Sequence, residues 1–222
     1  MESFEAIWQR ASALKGGDAA LEALLPEIKT PKQLRAIPDD RWLAQMTKRI
    51  FQAGFSWTVI DNKWDGFEEA FWGFEPGRVA LMSDDDLDSL VSDTRIVRNG
   101  QKISAIQANA SFICELAGEH GSAAKFFADW PDDNYIGLLD VMQKRGKRLG
   151  GKTGGIFLRA MGKDSFIITD DVSTALIQAG IVDKKPTSKS ALATVQQAFT
   201  AWTQETGRPM AHISRTLAAS ID

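Results

Sequence analysis

The sequence predicts an all-α protein of about ten helices in two lobes around a cleft. Three observations lead there. Apolar residues recur at spacings of three and four; glycine, proline and aspartate cut the chain into short segments; β-branched alternation is nearly absent. A chain of 222 residues can bury a substantial core. No apolar run approaches the ~20 residues that a bilayer span needs, so no membrane association is expected.

The elements follow in order. From Ser56, an expected N-cap, Trp57, Ile60, Trp64, Phe67, Phe71 and Phe74 fall at gaps of three and four, which predicts one amphipathic helix ending before Pro76. Ser83 caps a short helix whose first turn is acidic, where the helix dipole favours acid. From Asn99 to Glu119, Ile103, Ile106, Ala110, Ile113 and Ala117 share one face. A shorter helix covers Leu138 to Lys147, a glycine turn follows at Gly150–Gly154, and another helix runs from Gly155 to Met161. Phe166-Ile167-Ile168 is too short for more than a loop. Asp170 or Asp171 caps a helix that stops at Gly180. Ser188 caps one with Leu192, Val195, Phe199 and Trp202 inward, and Pro209 introduces the last, on Ile213 and Leu217.

Charge and cysteine usage narrow the class. The opening MESFEAIWQR carries acid where a signal peptide carries basic residues, which points to a cytoplasmic protein, nucleoid-associated in a bacterium. Cys114 is the sole cysteine, which excludes an internal disulfide and suits a reducing compartment. With His120 and His212 as the only histidines, no Cys/His zinc cluster can assemble, and neither a metal nor another cofactor is expected. A net charge of −3 argues against nucleic-acid binding through the whole surface, yet leaves room for a local basic face.

Such a face exists. Met142 to Lys163 holds Lys144, Arg145, Lys147, Arg148, Lys152, Arg159 and Lys163, no acidic residue, and six of the chain's 18 glycines. A glycine-rich turn between helices offers backbone N–H groups to an anion, and basic side chains beside it hold phosphates. Aspartates Asp170 and Asp171 follow. A carboxylate there would be repelled by a nucleic acid backbone, and that conflict is what a catalytic acid or base at a DNA site presents.

Leu149-Gly150-Gly151-Lys152-Thr153-Gly154, followed by Asp170-Asp171-Val172, resembles the helix-hairpin-helix of the DNA base-excision glycosylases. The resemblance implies that amides of Gly150, Gly151, Lys152, Thr153 and Gly154, with Lys147 and Arg148, grip a phosphate. It also implies that an aspartate, here 21 residues past Gly150 at Asp171, starts the next helix and faces an active site. A narrower likeness rests on Gln52-Ala53-Gly54-Phe55-Ser56-Trp57, Phe74-Glu75-Pro76 with Val79-Ala80, Ile96-Val97-Arg98, and Lys102-Ile103-Ala105-Ile106-Asn109-Ala110. From Leu43 to Phe112 these residues are similar to the 3-methyladenine DNA glycosylase I family. That family's tryptophan lines the pocket for the extruded base, which implies that Trp57 stacks on the base beside Arg49, Phe51 and Gln52. Arg49 stands where the family carries a glutamate that reads the methylated base, and a cation suits a cationic alkylpurine poorly. The family's zinc ligands and N-terminal pocket tyrosines have no counterpart, while the aspartate after the hairpin is an addition. The chain therefore resembles a divergent relative whose chemistry is nearer the aspartate-using glycosylases.

The resemblance implies a monomeric, monofunctional glycosylase acting on double-stranded DNA with a damaged base, an alkylated purine such as 3-methyladenine. Asp171 would stabilise the oxocarbenium-like sugar, with Asp170 as the alternate. Two other classes remain open: a helix-hairpin-helix module that binds DNA or senses damage without turnover, and a helical interaction protein with no nucleic acid ligand. Single residues have structural readings too. The aspartates suit a helix start. Trp57 suits a core, Arg98 and Lys102 suit either surface charges or phosphate contacts, and Arg49 could pair with Asp61. Cys114 reads as a small buried hydrophobe.

Overall fold

A computed structural model describes all residues from Met1 to Asp222 and contains fifteen α-helices, two 3-10 turns and no strand. In chain order the helices are α1 Phe4–Lys15, α2 Asp18–Glu22, α3 Pro31–Arg35, α4 Asp39–Gln52, α5 Trp57–Asn62, α6 Trp64–Ala70, α7 Pro76–Ala80 and α8 Asp84–Ser92. They continue with α9 Gly100–His120, α10 Ala123–Asp129, α11 Tyr135–Arg145, α12 Lys152–Met161, α13 Asp170–Gln178, α14 Lys189–Thr206 and α15 Met210–Ala219. The excess over the expected ten lies in helices of five to seven residues such as α2, α3, α5, α6 and α7. These are too short to show a repeating apolar face.

The chain divides into two compact units. The first comprises residues 1–29, 131–138 and 162–222. Here α15 packs against α1, α13 and α14, with Ile213 and Leu217 fully buried as expected. The loop between α12 and α13 runs through this core. Phe166 stacks on Phe199 at 4.2 Å between ring centroids, and the Tyr135 hydroxyl donates to the Phe166 carbonyl at 3.0 Å. Asp164, in the same loop, accepts from the backbone N–H groups of Met210 (3.0 Å) and Ala211 (2.8 Å), supplying the start of α15 with the acceptors that Pro209 cannot.

The second unit comprises residues 30–130 and 139–161. Its central pair is α4 and α9; α9 also meets α7, α8 and α10, and α4 meets α12. Trp42 of α4 stacks on Phe127 at 4.7 Å and meets the edge of Phe157 at 5.9 Å. The Asp39 carboxylate accepts from the N–H groups of Ala123 and Ala124, 3.0 Å each, so one side chain ties α4 to the start of α10.

The expected helix from Ser56 to Phe74 keeps its apolar spacing but not its continuity. It breaks at Lys63 and again after Ala70, where Trp72, Gly73 and Phe74 turn left-handed at φ 51°, 66° and 61°. The aromatic rings explain the break. Phe74 stacks on Trp64 with centroids 5.5 Å apart, whereas residues ten apart on a straight helix are separated by about 15 Å. Folding back buries Phe67, Phe71 and Phe74 completely. Of the expected caps, Ser83 and Ser188 accept from Asp86 and Ala191 N–H groups; Asn99, where the expected α9 segment begins, caps that helix by accepting from the Lys102 N–H. Ser56 sits at the N-cap of α5 but makes no side-chain bond. The cap of α13 is Thr169, whose hydroxyl accepts from the Val172 N–H at 3.1 Å; Asp170 and Asp171 occupy the first turn instead.

Candidate base pocket and nucleic-acid interface

Both halves of the candidate site in the second unit are fixed from α9. At its N-terminal end, Lys102 is buried, and its ammonium donates to the carbonyls of Phe51 (3.1 Å) and Ala53 (2.6 Å). Those carbonyls belong to the last residue but one of α4 and to the residue after it, groups that a helix end leaves without partners. The same ammonium lies 4.5 Å from the centre of the Phe55 ring. Lys102 is therefore neither a surface charge nor a phosphate ligand: it locks the Gln52–Trp57 segment. Burial pulls its ammonium below the ordinary lysine range, and the Arg148 charge adds to that pull.

Two turns further along α9, Asn109 is buried and holds the hairpin. Its amide donates to the Lys147 carbonyl at 3.1 Å, and its carbonyl oxygen accepts from the Lys147 N–H at 2.7 Å. Gln101, at the start of α9, receives the Arg148 guanidinium at 2.6 Å. Asn109 and Lys102 fall at i and i+7 on the apolar stripe of α9. A polar residue on such a stripe signals a specific partner, and that signal was present in the sequence.

The turn itself lies earlier than expected. α12 begins at Lys152, so Lys152, Thr153 and Gly154 form its first turn, and the bend spans residues 146–151. Arg148 and Gly151 both sit at φ 59°, a region that suits glycine and strains arginine. A Cβ on Gly154 would come within 2.5 Å of the Leu149 carbonyl, so only glycine lets α12 start so close to the bend. Lys147, Arg148, Gly151 and Lys152 are exposed, and Gly150 and Thr153 half-buried. The start of a helix directs backbone N–H groups outward, and here Lys147, Arg148 and Lys152 place three cations around it.

At the C-terminal end of α4, the Arg49 guanidinium donates through Nη1 to Gln52 Oε1 at 2.7 Å, and its Cζ lies 5.3 Å from the centre of the Trp57 ring. Its buried Nε has no hydrogen-bond partner. Burial pushes the guanidinium below its ordinary pKa, and the Asp61 carboxylate opposes that shift. Asp61 itself pairs with Lys48 at 2.8 Å, not with Arg49. Trp57 is 52% exposed, far from the core role its helical spacing allowed. Phe51 is the reverse: fully buried edge-on against Phe67 at 4.8 Å, it offers its carbonyl to Lys102 and no ring face to a ligand. Gln52 is buried and engaged by Arg49.

Asp170 and Asp171 belong to the first unit, both exposed. Asp170 forms an ion pair with Lys185. Asp171 makes no ion pair. Cys114 is exposed on α9 rather than buried.

The comparisons with known proteins match the middle of the chain for the family and nearly all of it for the fold. The model of the methyladenine glycosylase family matches residues 36–144, extending past both ends of the segment from Leu43 to Phe112. The chain is 41% identical over 91 residues to DNA-3-methyladenine glycosylase 1 of Escherichia coli K12, a match covering 36% of this chain and 49% of that protein. It thus spans about half the length of this curated relative. The 3-methyladenine DNA glycosylase I of Staphylococcus aureus superposes with a TM-score of 0.51 at 29% identity, over 56% of this chain and 77% of that one. An 8-oxoguanine glycosylase/lyase of Methanocaldococcus jannaschii, solved with DNA, shares the fold over 96% of this chain and 95% of its own, with a TM-score of 0.51 at 12% identity. Residues 36–144 thus match the methyladenine glycosylase family, and within the matched part of the chain identity to one of its curated relatives reaches 41%.

Proposed function

We propose that the protein is a monofunctional DNA glycosylase that hydrolyses the N-glycosidic bond of an alkylated purine in double-stranded DNA. The observation that carries this reading is the pair of clamps from α9: Lys102 fixes the segment bearing Trp57, and Asn109 fixes the phosphate-binding hairpin. One rigid helix thereby sets the spacing between an aromatic surface for a base and an anion site for the backbone. The relatives are named for 3-methyladenine, which makes that base the reference substrate.

A base must leave the duplex before its glycosidic bond is accessible, at a cost of a few kcal/mol. Stacking on Trp57 would return ~1–3 kcal/mol. The hairpin amides, with Lys147, Arg148 and Lys152, would hold the backbone while the base is out. Loss of the base leaves an oxocarbenium-like sugar, which an ionised carboxylate stabilises while orienting water for attack. Asp171 is the proposed carboxylate, supported by its offset of 21 residues from Gly150. Asp170 is the weaker choice because Lys185 already neutralises it. The protein is proposed to act as a monomer in the cytoplasm, without cofactor.

The test is chromatography of bases freed from methylated duplex DNA. Wild type should release free base; Asp171→Asn should abolish release and keep DNA affinity. Affinity without release by the wild type would favour a DNA-binding or damage-sensing module, and absence of salt-dependent binding would exclude both.

A further inference from the structure

Trp57, half exposed, does not present a purely neutral surface, because an arginine adjoins its ring. Arg49 is half-buried at the end of α4, held by Gln52 through Nη1, with its Cζ 5.3 Å from the centre of the Trp57 ring and its buried Nε unbonded. With Nε shut off from solvent and Nη1 already donating to Gln52, the guanidinium can meet a ligand only through its remaining terminal N–H groups. Guanidinium carries donors only and stays charged at every working pH, so its neighbour must accept hydrogen bonds and must not be a cation.

We infer that Arg49 selects neutral alkylated purines whose exposed edge offers acceptors, in preference to cationic ones such as 3-methyladenine in DNA. This rests on the glycosylase reading and narrows its substrate class. The chemistry matches the way arginine reads guanine, whose O6 and N7 both accept from one guanidinium. A guanine alkylated at N1 keeps O6 and N7 free and carries no charge. An adenine alkylated at N3 would bring a delocalised positive charge beside the guanidinium, and like charges repel. The two side chains divide the work: Trp57 contributes a face that any purine can use, and Arg49 contributes the selection.

Two duplexes test this, one with a single 1-methylguanine and one bearing 3-methyladenine, each assayed for released base under single-turnover conditions. Wild type should release 1-methylguanine at least tenfold faster. Arg49→Gln, which keeps a donor and removes the charge, should lower that ratio by roughly 10–100-fold, the discrimination of one bidentate arginine–purine contact. Because the ratio is taken within one preparation, partial unfolding of a variant scales both rates and leaves it unchanged. Faster release of 3-methyladenine by wild type, or the same ratio in Arg49→Gln, overturns the inference and leaves the glycosylase intact. If wild type releases neither base, the glycosylase reading fails. The selection is then read from equilibrium binding to a 2′-fluorinated duplex that cannot be hydrolysed. Tighter binding of the 1-methylguanine duplex than of unmodified duplex, lost in Arg49→Gln, sustains the inference, and equal affinity refutes it.

Discussion

Asn109 and Lys147 exchange two hydrogen bonds, the asparagine amide reaching the lysine's backbone carbonyl at 3.1 Å and its oxygen receiving the lysine's N–H at 2.7 Å. The side chain takes the place of a strand partner for one residue of the bend. It holds the bend between α11 and α12 in a shape that includes a left-handed arginine at position 148. Strain of that kind persists only where the surroundings enforce it.

Asn109→Ala removes both bonds and leaves the Lys147 N–H and carbonyl without their side-chain partner. We expect a loss of about 1–3 kcal/mol in denaturant unfolding. DNA affinity should fall further than the stability change accounts for, because the hairpin loses its shape. Unchanged affinity in folded Asn109→Ala would separate the hairpin from DNA binding.

Lys102→Met keeps the alkyl stem and removes the ammonium. The carbonyls of Phe51 and Ala53 would lose their donor, and about 1–3 kcal/mol of stability should go with it. Trp57 lies four residues after Ala53 and should report the loosening by a shift in its fluorescence, isolated by subtracting the same spectra of Trp57→Phe backgrounds. An unaltered Trp57 signal would mean that Lys102 does not hold this segment.

Lys147→Ala should weaken binding to all duplex sequences alike. If the ammonium contacts a phosphate, the slope of log K against log salt should shrink by about 0.9. An unchanged slope removes Lys147 from the interface while its backbone remains pinned by Asn109.

Cys114 should label slowly despite its exposure. The protein around its sulfur and the carboxylates of Glu75, Asp39 and Glu115 hold the thiol above its ordinary pKa. Because the thiolate is the nucleophile, alkylation at neutral pH should run slower than that of a free cysteine and accelerate only as pH rises above the usual thiol range. Labelling at the free-cysteine rate would contradict this.

The long helices and their ends were legible in the sequence because each carried a full apolar stripe and a polar cap. Ser188 with α14 is of that kind. The break at Trp72–Phe74 was hidden because stacking of Phe74 on Trp64 uses the same residues that a straight helix would bury. Thr169 lost the cap assignment to Asp170 and Asp171 because all three suit a helix start, and only backbone geometry tells a cap from a first turn. At the site, the hairpin's glycines and cations stood out locally. The duties of Lys102 and Asn109 did not, since each acts on backbone that is far away in sequence: Lys102 on residues about fifty positions earlier and Asn109 on one 38 positions later.

The clamps also set a rule for length. Seven residues separate Lys102 from Asn109, about 10 Å of helix. Side-chain substitutions on the outer face of that stretch leave both clamps aligned. One added or deleted residue would rotate the asparagine about 100° around the axis and point it away from the bend. Among relatives sharing this device, the interval should therefore vary in composition and stay constant in residue count.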